Sequence, residues 1–133
     1  NHYHRYCYVD SGKKSRNVFL PGILHTVRPV ALAQYPVFTE NSREYTLIRT
    51  PEFGTVVQME VGAMLVGRIV NHEQEAYAVR GEEKGMFQYG GSTIIVLVGK
   101  DQVKMREDLL KKAQLGIETA VQMGETIGYA KMD

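Results

Sequence analysis

A glycine pair followed by a serine is the part of the sequence that most directly suggests chemistry. The segment is Gly90-Gly91-Ser92-Thr93, and an apolar run follows it. Glycine permits backbone bends that other residues avoid, so a serine after the bend can bring its hydroxyl close to the preceding carbonyl. That geometry suits an N→O acyl shift, in which Ser92 Oγ attacks the carbonyl carbon of Gly91. Taken alone, the four residues favour a plain glycine turn that leads into a core strand.

A second candidate segment lies at the start of the chain, in Tyr3-His4-Arg5-Tyr6-Cys7. A histidine exchanges protons near neutral pH, and a thiol does so when its surroundings lower its pKa. If the segment is a strand, His4 and Tyr6 share one face and Cys7 lies on the other. The alternative interpretation is a surface histidine and a buried structural cysteine.

The same segment raises the question of a metal site. His2, His4 and Cys7 are potential ligands, but no fourth ligand stands beside them. His25 or His72 would have to converge from distant parts of the chain to complete a tetrahedral set. We therefore expect no metal.

Short apolar runs separated by glycine predict a mainly β fold. The predicted strands cover residues 17–20, 23–27, 45–49, 55–61, 63–71, 76–80, 93–98, 119–123 and 127–130. The run 93–98 is continuously apolar, which favours a central strand. One helix is predicted over 103–114, with Gly116 at its stop. Many short strands at close spacing indicate a barrel or sandwich.

Composition limits the class of protein. The 133 residues suffice for a single domain, and 44% hydrophobic and 23% charged residues are ordinary values for a folded one. A net charge of +1 gives no sign of the basic surface that proteins use to bind nucleic acid. The single cysteine excludes an internal disulfide framework and fits a reducing compartment. The pairs Lys13-Lys14 and Lys111-Lys112 are expected to be solvated charges.

The start of the chain bears on its extent. The first residue is asparagine, and no run is long and apolar enough to predict a membrane-spanning helix. We expect the chain to be a fragment of a longer protein, so that any membrane anchor lies in the part that precedes it.

Taken in order, these segments resemble the phosphatidylserine decarboxylase family along nearly the whole chain. Tyr3-His4-Arg5 is similar to that family's Tyr-His-Arg signature. Val61-Gly62-Ala63-Met64-Leu65-Val66-Gly67 resembles its Val-Gly-Ala strand pair. Lys84-Gly85-Met86-Phe87 leads into Gly91-Ser92-Thr93, which resembles the family's processing motif.

The resemblance implies a self-processing enzyme. Ser92 would attack Gly91, the resulting ester would undergo β-elimination, and hydrolysis would leave a pyruvoyl group at residue 92 with release of ammonia. The pyruvoyl ketone would condense with the amine of phosphatidylserine and act as an electron sink while carbon dioxide leaves, giving phosphatidylethanolamine. By its position in the signature, His4 is implied to take part in decarboxylation or in the protonation that follows.

Two departures from the family pattern concern the cleavage machinery. Cys7 stands where many members have a second histidine, and Gly90 replaces a more usual leucine. The aspartate that accompanies that histidine would lie upstream of residue 1. The base for self-cleavage is therefore left open among Cys7, His25 and His4.

The resemblance also implies an architecture and partners. Family members resemble the barrel-sandwich hybrid of biotinyl and lipoyl carriers, an antiparallel β architecture here expected to include one short helix. The implied partners are a phospholipid substrate and the cytoplasmic face of a membrane. The upstream part of the protein would contact that membrane surface. A second copy of the chain, in a homodimer, is a further implied partner.

Two alternative functions are kept open. One is a pyruvoyl-dependent decarboxylase of a small soluble amino acid or its derivative. The other is a non-catalytic carrier of the barrel-sandwich type. The carrier is disfavoured because Met123 is followed by Gly124, where a carrier presents a modifiable lysine.

Overall fold

The computed structural model describes residues 4–22, 41–62, 68–88 and 92–131, and for Ser92 it describes the backbone alone. Within these ranges the chain forms eleven strands and one helix, α1. The strands are β1 His4–Cys7, β2 Gly12–Lys14, β3 Val18–Leu20, β4 Arg43–Thr50, β5 Gly54–Gly62, β6 Arg68–Asn71, β7 Ala76–Ala78, β8 Glu83–Gln88, β9 Ser92–Leu97, β10 Val103–Met105 and β11 Gly128–Ala130, and α1 spans Glu107–Gln114.

Two antiparallel sheets organise most of these strands. The small sheet has the order β1-β8-β6, and the large sheet has the order β7-β2-β4-β5-β9, with β3 paired to β4. Strands β10 and β11 form a separate antiparallel pair. No sheet within the described ranges closes into a barrel. The prediction of a mainly β, antiparallel fold with one short helix is confirmed.

The hairpin of β4 and β5 supplies most of the inner face of the large sheet. Along β4, Thr46 and Ile48 are buried while Leu47 between them is exposed, as expected for a strand with one covered face. The turn uses Gly54 at a φ of 67°, a conformation that suits glycine. Thr50 Oγ1 closes the turn by donating to the Gly54 carbonyl at 2.7 Å.

A β-bulge in β8 leaves two consecutive residues buried on the inner face of the small sheet. Tyr6 pairs with Gly85, but the next residue, Cys7, pairs with Glu83, so Lys84 is an extra residue in β8. A bulge of this kind interrupts the alternation of side chains. As a result Lys84 and Gly85 are both buried.

The two sheets contact each other through inward-facing side chains that are polar as well as apolar. Tyr6 and Phe87 of the small sheet stack with ring centroids 5.0 Å apart. Gln58 of β5 joins the sheets by accepting a hydrogen bond from Val9 N at 3.0 Å and donating to the Cys7 carbonyl at 2.9 Å. The contact between the sheets therefore depends on hydrogen bonds as much as on apolar packing.

Within the described residues, the prediction that residues 93–98 form a central strand is wrong. Strand β9 lies at the end of the large sheet, with β5 as its neighbour in the part of the chain that is described. Ile94 to Val98 are each at least one third exposed. A continuous apolar run shows that both faces are apolar, but it does not show what covers them.

The C-terminal third also differs from prediction. Residues 103–105 form β10, and the helix begins only at Glu107. Arg106 has an extended ψ of 135°, and its guanidinium binds Asp108 and Glu125, which fixes the break between strand and helix. Residues 119–123, predicted as a strand, are irregular. Gly116 follows the helix end at a φ of 70°, as predicted.

Lys14 is not the solvated charge that its sequence context predicted. It is 3% exposed, and its ammonium donates to the carbonyls of Glu73 at 2.8 Å and Gln74 at 2.6 Å. Lys13, on the opposite face of the strand, is exposed. The predicted strand 23–27 and the first part of 63–71 lie outside the described residues.

None of the described helical residues forms a segment long and apolar enough to cross a membrane.

We expect Gly85→Ala to destabilise the protein by about 1–3 kcal/mol, because it overpacks the contact between β8 and β6. A Cβ at position 85 would lie 2.3 Å from the Val70 carbonyl oxygen and 2.7 Å from the Tyr6 hydroxyl. Urea denaturation measures the change. The matched control is Gly99→Ala, whose Cβ would meet only the flexible Gln102 side chain, at 3.3 Å. Equal effects of the two substitutions would contradict the packing described for β8.

Candidate active site

Ser92 is the first residue of β9. Its backbone pairs with Gly62 at the end of β5, and Thr93 pairs with Val61. The predicted position of Ser92 at the start of a strand is confirmed, although β5 is the one strand that pairs with it in the described part of the chain. Gly91, the residue predicted to be attacked, lies outside the described residues.

The chain passes from one sheet to the other immediately before Ser92. Strand β8 of the small sheet ends at Gln88, and β9 of the large sheet begins at Ser92. Four residue steps can separate two Cα atoms by roughly 14 Å at most. The Gly91–Ser92 bond therefore belongs to the short connection between the sheets.

His4 lies at the end of the small sheet from which this connection departs. It pairs with Phe87, one residue before the end of β8, and it is exposed. Cys7 pairs with Glu83 at the opposite end of β8, roughly 10 Å further along the strand. The topology thus brings His4, and not Cys7, toward the side of the sheet that leads to Ser92.

The remaining candidate residues are distributed elsewhere. Cys7 is partly buried. His72 follows β6 and binds Glu83, with 2.6 Å between Nε2 and Oε2. His25 lies outside the described residues. Across the described ranges, no group of three or more His, Cys, Asp or Glu side chains is arranged to hold a metal ion.

Sequence reasoning missed a buried ionic cluster between the sheets. Glu60 of β5 and Lys84 of β8 are in direct contact, and both side chains are fully buried. Glu60 shares the inward face of β5 with Val56 and Gln58, whereas the apolar residues Val57 and Met59 lie on the other face, so alternation alone predicts an exposed Glu60. The burial of Lys84 was not predictable either, because it depends on the bulge in β8.

Asn71, at the end of β6, forms hydrogen bonds with both members of this pair and with two further residues. Its Nδ2 donates to Glu60 Oε1 at 2.8 Å and also to Glu44 Oε2. Its Oδ1 accepts from Lys84 Nζ at 2.9 Å and from the Tyr6 hydroxyl at 3.0 Å. The other carboxylate oxygen of Glu60, Oε2, is buried and has no hydrogen-bond partner among the described residues.

Burial opposes charge on both members of the pair. It raises the pKa of the Glu60 carboxyl, against the opposing effect of the Lys84 ammonium. It lowers the pKa of Lys84, against the opposing effect of Glu60. It also raises the pKa of the Tyr6 phenol, an effect that Glu60 and Glu44 reinforce. Burial thus disfavours the charged form of both groups, and the contact between them acts in the opposite direction.

Comparison with known proteins places the chain in a family. A sequence model of the phosphatidylserine decarboxylases matches residues 1–129, which is nearly the whole chain. The chain belongs to the phosphatidylserine decarboxylase family. The resemblance inferred from the Tyr-His-Arg and Gly-Ser-Thr motifs is confirmed.

Curated relatives agree with this assignment. The chain is 48% identical over 126 residues to "Phosphatidylserine decarboxylase proenzyme 2" of Clostridium acetobutylicum, covering 95% of this chain and 43% of that protein. It is 40% identical over 131 residues to the phosphatidylserine decarboxylase proenzyme of Clostridium botulinum, covering 97% of this chain and 44% of that protein. The chain thus spans less than half the length of these relatives. No solved structure matches it.

In this member of the phosphatidylserine decarboxylase family, Lys84→Met should destabilise the fold by about 3–5 kcal/mol, because it leaves the Glu60 carboxylate buried without its partner. Adding Glu60→Leu to Lys84→Met should recover most of the loss. Urea denaturation of the three proteins measures both effects.

The matched control is Glu83→Gln, which removes the exposed pair with Arg5 one residue away from Lys84. It should change the free energy of unfolding little, since exposed pairs are screened by water. A Lys84→Met variant as stable as Glu83→Gln would show that the buried pair does not hold the sheets together.

Proposed function

We propose that the full-length protein is a phosphatidylserine decarboxylase that matures by cleaving itself between Gly91 and Ser92. The observation that carries the proposal is the family match over residues 1–129, together with relatives named as phosphatidylserine decarboxylase proenzymes. The position of Ser92 supports it, since this serine begins a strand directly after the connection between the two sheets.

In the proposed maturation, Ser92 Oγ attacks the carbonyl carbon of Gly91 and converts the amide to an ester. Elimination then breaks the ester, so that Gly91 keeps the carboxylate and residue 92 becomes dehydroalanine. Hydrolysis releases ammonia and leaves a pyruvoyl group at the start of β9. The two glycines before Ser92 support this proposal because they permit the backbone bend that the attack requires.

The pyruvoyl group supplies the electron sink for loss of carbon dioxide from an amine-bearing carboxylate. The chain's own contribution is then to move protons at the reacting carbon. We assign this role to His4, because it is exposed and lies at the end of the small sheet that leads to residue 92. Cys7 is the weaker candidate, since it lies at the other end of β1 and is partly buried.

We also propose that the substrate is phosphatidylserine and that the enzyme works at the cytoplasmic face of a membrane. The names of the relatives support the substrate. The single free cysteine fits the reducing side of a membrane. Assay of the full-length protein with phosphatidylserine vesicles and with free serine distinguishes a lipid substrate from a soluble one. Turnover of free serine alone would replace the lipid assignment.

Ser92→Ala in the full-length protein should abolish both cleavage and decarboxylation, because alanine can neither attack Gly91 nor become a pyruvoyl group. Intact-mass analysis of the unsubstituted protein should show a piece that begins at residue 92. The N-terminus of that piece should be a ketone that an amine and borohydride modify. An active protein that stays a single chain with an unmodified Ser92 would rule out this maturation.

His4→Ala should lower decarboxylation by roughly a hundredfold, the usual scale for loss of a general acid or base, and should slow cleavage less. Cleavage is followed by mass, and turnover is normalised to the matured fraction. His72→Ala is the control, since this histidine is tied to Glu83. If His4→Ala blocked cleavage while its matured fraction kept normal turnover, His4 would be the base for cleavage and not for decarboxylation.

A further inference from the structure

The buried cluster forms a direct bridge between the sheets that flank the cleavage site. Glu60 belongs to the large sheet, whereas Lys84 and Asn71 belong to the small sheet. Both contacts of Glu60 Oε1, with Lys84 Nζ and with Asn71 Nδ2, therefore cross from one sheet to the other. We call these three residues the inter-sheet clamp.

Glu60 is the member of the clamp that lies close in register to the start of β9. Glu60 is two residues before Gly62, and Gly62 is the backbone partner of Ser92. In an antiparallel pair, such diagonal neighbours are roughly 7–8 Å apart. On the small sheet, Lys84 lies four residues before the end of β8 at Gln88, and Gln88 is in turn four residues before Ser92. The connection that contains the Gly91–Ser92 bond joins β8 to β9. Strand β8 carries Lys84 itself, and β9 is linked to Glu60 through its pairing with β5.

The polar character of the clamp is informative, because burying polar and charged groups costs free energy. Two buried charges lose their hydration, and an apolar pair of similar volume is often as stable or more stable. What an ion pair adds is geometric restriction, since charged atoms and hydrogen-bond donors accept few arrangements. Glu60 meets Lys84 and Asn71 through the same oxygen, so a sliding motion of one sheet over the other would break both contacts.

We propose that Glu60 is a positioning residue for cleavage of the Gly91–Ser92 bond. Together with Lys84 and Asn71 it fixes the separation and register of the two sheets between which that bond lies. The inference rests on the proposed function, because it assumes that the bond is cleaved by Ser92. It assigns Glu60 no contact with the reacting atoms.

The effect of losing the clamp follows from the geometry of the attack. An intramolecular attack needs the reacting atoms held about 3–3.5 Å apart, and a displacement of about 1 Å can slow it by roughly a hundredfold. Replacing the pair by Glu60→Leu with Lys84→Met keeps the interior filled and removes both members of the buried pair together. This double variant should therefore fold as well as the unsubstituted protein but cleave roughly tenfold to a hundredfold more slowly.

The experiment compares the full-length precursors of the double variant, Glu60→Asp, Glu83→Gln and the unsubstituted protein. Cleavage rates are measured by intact mass across a range of pH, and the folded fraction is measured for each protein by urea denaturation. Glu60→Asp keeps the charge but is one methylene shorter, so it should also slow cleavage. Glu83→Gln removes an exposed carboxylate next to Lys84 and should cleave at the normal rate.

The pH profile separates positioning from proton transfer. Loss of a positioning residue lowers the rate at every pH and leaves the midpoint of the profile unchanged, whereas loss of the base itself changes the profile. A changed profile, or a folded double variant or Glu60→Asp variant that cleaves at the normal rate, would overturn the proposal. Ser92→Ala is run in parallel. If it still cleaves, the proposed function fails, whatever the result at Glu60.

Discussion

The direct contact between Lys84 and Glu60 is the interaction on which the arrangement of the two sheets depends. Both side chains are fully buried, and burial disfavours the charged form of each. Such a pair does little for stability compared with apolar packing, but it tolerates few relative positions of its partners. The register of the small sheet on the large sheet is therefore set by polar geometry, with Asn71 satisfying both ends of the pair.

That register matters because the chain changes sheets at the point where chemistry is expected. Strand β8 ends at the connection that precedes Ser92, and Ser92 pairs with Gly62 of β5. The same end of the small sheet carries His4, opposite Phe87. This arrangement of the sheets brings His4 and Ser92 toward one region, although the two residues lie far apart in sequence.

Several features were predictable because they depend on local chemistry. The alternation of buried and exposed positions along β4 follows from one covered face, and the helix stop at Gly116 follows from its positive φ. Other features were not predictable locally. The apolar run of β9 looked central but has one neighbouring strand among the described residues, and the start of α1 depends on the ion pair that Arg106 makes with Glu125, nineteen residues away.

The sequence by itself determined the family, the mainly β class and the serine at which processing is proposed, because motifs and strand periodicity are local properties of the chain. Only the tertiary structure decided that Lys84 is buried and that His4, rather than Cys7, lies at the end of the sheet leading to Ser92. Both facts follow from the pairing of β1 with β8. Strand register and a bulge result from contacts between residues distant in sequence, so no local pattern encodes them.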